Sequence, residues 1–162
     1  MIVEHVESRP IPHRRAVLLG LGLGLNGRRA SDTLSGQAVA GLRFRRVELQ
    51  LTLCFPSLAL LGQVRLNLLP GQTFWLVPFL SAGATISYNH GTSLGAAASV
   101  VGGGGLRVGP FRSFEPSLWN RLYASVEVLV SYVFSQPTPP GRSEVEELAI
   151  PVLTSVGVEL WP

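Results

Sequence analysis

Six ionisable residues stand inside otherwise apolar, alternating stretches of this 162-residue chain: Arg43, Glu48, Arg65, Arg107, Glu127 and Glu159. A charge held among apolar neighbours must reach water or an opposite charge. Three carboxylates and three guanidiniums on the polar rows of such stretches predict a structural ion-pair network. The other arrangement of the same charges is a narrow charged pore.

Other chemistry has weaker support. His90 and Ser93 share the segment NHGTS. A hydroxyl nucleophile also needs a base within reach and a third group to orient it. No acid stands near in sequence, and the composition is that of a turn, so no catalytic residue is assigned. His5, His13 and His90 do not have metal-ligand spacing. The run Gly102–Gly105 lacks the following Lys-Ser/Thr of a phosphate loop. No cofactor is expected. The one cysteine, Cys54, excludes an intrachain disulfide and reads as a small interior residue. All 13 basic residues are arginine, but they are scattered and lack interleaved aromatics, which argues against a nucleic-acid partner. Arg28-Arg29 and the acidic Glu144, Glu146 and Glu147 read as solvated turn and loop residues.

The elements that must position the six charges are extended. In LYASVEVLVSYVF, residues 122–134, one row is Leu122, Ala124, Val126, Val128, Val130, Tyr132 and Phe134. The other is Tyr123, Ser125, Glu127, Leu129, Ser131 and Val133. Period two marks a strand with two unlike faces. An apolar row of this length exceeds the ~5–6 residues usual in soluble strands and suits the ~9–11 residues of a tilted membrane-crossing strand. The composition agrees. Hydrophobic residues make up 46% and charged residues 14%, against about 25% charged in average soluble domains. Mean hydropathy is +0.33, yet no uncharged apolar run reaches the ~18 residues of a transmembrane helix.

The same alternation recurs along the chain and predicts eight strands, at about 16–26, 35–44, 47–55, 58–69, 73–88, 94–108, 122–134 and 150–161. In the first, Leu19, Leu21, Leu23 and Leu25 alternate with Gly20, Gly22 and Gly24, so the glycine row would leave room inside a narrow barrel. Pro78 lacks a ladder donor and predicts a bulge or weak pairing. The run Gly102–Gly105 carries no register signal of its own. Residues 1–13 read as a disordered lead-in or linker without the pattern of a secretory signal, and 14–162 as one β-barrel domain. The fold class is all-β: an antiparallel up-and-down transmembrane β-barrel of eight strands. Tyr88, Tyr132, Phe134, Phe74 and Trp161 lie near strand ends, where interface girdle residues belong.

In this pattern, over most of residues 16–162, the chain resembles the small bacterial outer-membrane β-barrels. The closing residues Val156-Gly157-Val158-Glu159-Leu160-Trp161-Pro162 resemble their C-terminal assembly signal, with Trp161 one place early and Pro162 where the aromatic usually stands. The resemblance implies the bacterial outer membrane, outer-membrane lipid as surroundings, and a non-enzymatic structural or anchoring role beside a protein partner in an envelope complex. The rival is a soluble β-barrel or sandwich holding a lipid or other apolar ligand. It reverses the faces: Leu49, Leu51, Val126, Val128 and Val130 would line the core, and Glu48, Glu127 and Arg65 would meet water.

Overall fold

A computed structural model describes residues 15–27, 33–56, 58–69, 76–89, 95–109, 121–135 and 148–160. They form eight strands: β1 (Ala16–Gly27), β2 (Thr33–Phe44), β3 (Val47–Phe55), β4 (Ala59–Asn67), β5 (Leu76–Asn89), β6 (Gly95–Val108), β7 (Leu122–Ser135) and β8 (Leu148–Leu160). Every strand pairs antiparallel with its sequence neighbour, and β8 pairs with β1 to close a barrel. Closure leaves no sheet edge: each strand has a laddered neighbour on both sides, the arrangement that hydrocarbon surroundings require.

The alternation sorts the side chains by face. Leu21, Leu49, Leu51, Leu80, Val126, Val128 and Val130 point outward and are exposed. Between them, Gln37, Glu48, Gln50, Thr52, Gln63, Arg65, Asn67, Arg107, Glu127 and Glu159 point inward and are buried. The glycine row of β1 faces in. The five residues that a soluble barrel would place in its core all lie outside, so the arrangement required by that alternative is not the one adopted.

Register fixes the tilt. A line of paired residues runs from Ala16 through Arg43, Glu48, Arg65, Ser81 and Gly103 to Leu129. The flanking pairs Val128–Val152 and Ser131–Ala149 set Pro151 opposite Leu129, and Pro151 returns the line to β1 at Asn26, ten residues along. With eight strands, that stagger corresponds to strands inclined by about 40° to the barrel axis. Strands of 9 to 14 residues at this tilt are long enough for an apolar belt of about 25 Å.

Two local points left open by the sequence are decided here. Pro78 makes no bulge: it pairs with Leu106 in unbroken register. The weak-pairing alternative holds on the β4 side, where the ladder ends at Asn67–Phe79 and Pro78 only accepts, from Leu68 N at 2.9 Å, with no N–H to return the bond. The proline that does interrupt a ladder is Pro151, where β7–β8 pairing passes from Val128–Val152 to Ser131–Ala149. The other concerns β6, whose register at Gly102–Gly105 the sequence left open. Its register runs smoothly through Gly102–Gly105 and shifts instead at Ala98/Ser99. The lead-in 1–13, the residues Phe74, His90, Ser93, Trp161 and Pro162, the side chains of Tyr88 and Phe134, and the loop residues Arg28, Arg29, Glu144, Glu146 and Glu147 lie outside the described parts of the chain. Tyr132 faces outward. Cys54 sits on the inward row of β3, half-buried.

Candidate functional site: the barrel interior

The interior is layered. The rim that carries the β2–β3 turn, here the lower rim, is lined by the ends of β2, β4, β6 and β8 and the starts of β1, β3, β5 and β7. Arg43, Glu48, Arg107 and Glu159 meet just inside it. Arg43 Nη1 donates to Glu159 Oε1 at 2.6 Å and stands 3.9 Å from Glu48 Oε1. Arg107 pairs with both Glu48 and Glu159. Asn67 Nδ2 donates to Glu48 Oε1 at 3.0 Å. Each carboxylate therefore meets two guanidiniums, which suits groups removed from water.

One layer further in, Arg65 pairs with Glu127, and Gln63 Nε2 donates to Glu127 Oε1 at 2.8 Å. Glu127 and Glu159 are 0% exposed, so these partners stand in for solvent. Two aromatic rings complete the set. The Arg65 guanidinium lies 4.6 Å from the centroid of Phe79, and that of Arg107 lies 4.6 Å from the centroid of Tyr123. At this range a planar cation gains from the ring face while its edges remain free for carboxylates.

Above Glu127 the bore turns apolar. Leu61, Val101 and Leu129 are buried against one another, and Leu153 packs on them. Leu61 is two residues beyond Gln63 and Leu129 two beyond Glu127, so the greasy layer sits directly on the ionic one. Ser125 and Ser155 bridge neighbouring strands with hydroxyls 2.8 Å apart.

All six charged residues singled out in sequence thus face the bore: Arg43, Glu48, Arg107 and Glu159 in one cluster, Arg65 and Glu127 in the next. Sequence reading missed Asn67, Gln63, Phe79 and Tyr123 as partners and Leu61, Val101 and Leu129 as a layer. The available signal was bulk: large apolar or aromatic residues on rows otherwise polar or small. Among the described residues, no group of three or more His, Cys, Asp or Glu is placed to hold a metal ion.

A crystal structure of Neisserial surface protein A matches over 90% of this chain and 96% of its own, with a TM-score of 0.52 and 10% identity. The chain has the fold of the small eight-stranded outer-membrane β-barrels. A de novo designed transmembrane β-barrel also aligns, over 93% of this chain and 98% of its own, at a TM-score of 0.42 and 15% identity. No protein-family model and no curated protein matches the sequence. The small-barrel fold explains the interior: eight strands enclose a space that side chains fill.

Proposed function

We propose that this protein is a non-enzymatic, membrane-embedded barrel of the bacterial outer membrane, acting as a structural or anchoring subunit of an envelope assembly. One observation carries the proposal: a closed wall whose outward rows are apolar surrounds a bore whose six charges neutralise one another. An exposed apolar surface extending around an entire molecule is far larger than soluble monomers show. Lipid removes it from water.

The packed bore supports a structural role over transport. Ions or solutes would have to pass an ionic layer of paired side chains and then the packed Leu61–Val101–Leu129 layer, and an eight-stranded bore has little room beyond its side chains. The six charges act here as an electrostatic plug. Function then falls to the outer belt and the rims, which is where a partner in an envelope complex would meet the protein.

The test is folding with and without detergent. Refolded with detergent, the chain should migrate differently on a gel before and after boiling, and in planar bilayers it should conduct near zero. A stable monomer in plain buffer would overturn the membrane assignment. A steady unit conductance would replace the plug by a pore.

A further inference from the structure

The described residues include seven arginines: Arg43, Arg65 and Arg107 in the bore, and Arg15, Arg45, Arg46 and Arg121, all exposed. The exposed four belong to one rim. Arg15 precedes β1, Arg45 and Arg46 form the β2–β3 turn, and Arg121 precedes β7. In an up-and-down barrel these points share the lower end. The acids among the described residues are Glu48, Glu127 and Glu159, every one inside the bore and engaged with arginine. The lower rim therefore carries four uncompensated guanidiniums among its described residues, whereas the described residues of the upper rim bear no charge. The upper connections 28–32, 57, 90–94 and 136–147 contain three arginines and four acids in sequence, so the asymmetry is not reversed there.

The depth of these arginines is set by their neighbours. Arg45 follows Phe44 and Arg46 precedes Val47, both outward and exposed. Arg121 precedes Leu122, and Arg15 stands two places before the outward Val17. Each guanidinium thus springs from the lower margin of the apolar belt. Arg15 also leans onto the belt, 5.9 Å from the centroid of the Phe44 ring. That is the level of lipid phosphates. A guanidinium can bind a phosphate through two parallel N–H donors.

We propose that the lower rim binds anionic phospholipid headgroups, with Arg15, Arg45, Arg46 and Arg121 holding the phosphates of the leaflet that surrounds it. The proposal rests on the membrane-barrel reading and adds to it a chemical preference at one rim. An arginine near an anionic surface contributes roughly a fivefold gain in affinity.

The test uses the full chain refolded in a neutral detergent, with phosphatidylglycerol as probe and native mass spectrometry to count retained lipids. Retention should exceed that of phosphatidylcholine and weaken at high salt. The variant R15Q/R45Q/R46Q/R121Q should retain several-fold less phosphatidylglycerol. The pair R28Q/R29Q, which removes charge from the opposite end, should retain as much as the parent. Should the fourfold variant not fold, R15Q/R121Q and R45Q/R46Q are compared separately, each with an intermediate loss expected. Equal retention by parent and rim variants, or an equal loss in R28Q/R29Q, overturns the proposal and leaves the barrel in the membrane. A chain that never acquires heat-modifiable mobility in detergent overturns the membrane reading itself, and the lipid site with it.

Discussion

Arg65 and Glu127 pair across the bore, from strands that are not neighbours. Arg65 is on β4 and Glu127 on β7, with β5 and β6 between them in the wall. Arg107 on β6 reaches Glu48 on β3 in the same way. These ion pairs are cross-braces, tying opposite arcs of a cylinder whose hydrogen bonds run only between adjacent strands.

Removing one end of a brace leaves the other charge buried without its partner. Glu127→Ala should therefore destabilise the folded barrel by about 3–5 kcal/mol, read from urea unfolding in detergent. The double change R65M/E127L removes both charges while keeping bulk and should recover most of that loss. Conductance should stay near zero in both. A Glu127→Ala barrel as stable as the parent would remove the brace from the account.

The outward rows make a separate prediction. Leu51 and Val128 are 50% and 48% exposed and lie mid-strand, so lipid contacts them near the belt centre. Leu51→Arg or Val128→Arg should cost about 2–4 kcal/mol in bilayers. In a water-facing position the same change would be nearly neutral. Folding equilibria in vesicles decide between the two.

The apolar layer above Glu127 is a second seal. Leu129→Ala should cost about 2–5 kcal/mol through the cavity it leaves. Alone it should not open the bore, because the ionic layer still fills it. Conductance should emerge only when Leu129→Ala is combined with R65M/E127A, which thins both layers. Single-channel recording of the three variants checks this order.

Two glycines should respond in opposite ways to a methyl group. A Cβ at Gly22 would run into the Thr154 carbonyl oxygen of the neighbouring strand, whereas one at Gly62 would meet nothing within 4 Å. Gly22→Ala should impair folding severely. Gly62→Ala, on the lipid side, should be neutral or stabilise by about 0.5–1 kcal/mol by narrowing the unfolded ensemble. Thermal unfolding of the two variants in one detergent gives the comparison.

Strand number, order and sidedness were legible because period two is written directly into residues such as Leu49, Leu51 and Leu53 against Glu48, Gln50 and Thr52. Each strand end was close to its observed place. The identity of ion-pair partners was not legible. Hairpin register sets Glu48 beside both Arg43 and Arg65, which invites local pairing, but Arg65 turns instead to Glu127. That choice depends on strand tilt and on distances across the bore, neither of which a linear pattern encodes. Which of a bulge or weak pairing Pro78 produces was not legible for a related reason: it depends on which neighbour its nitrogen faces and how far that neighbour extends.

The seam between β1 and β8 has a consequence for assembly. Val17 is matched with Leu160, so the earliest described strand waits for the latest before its free side is covered. Until then any intermediate offers two bare ribbons of peptide groups to oil, which tolerates neither. Insertion should consequently be concerted, with the cylinder rolling shut as it enters rather than adding hairpins one at a time.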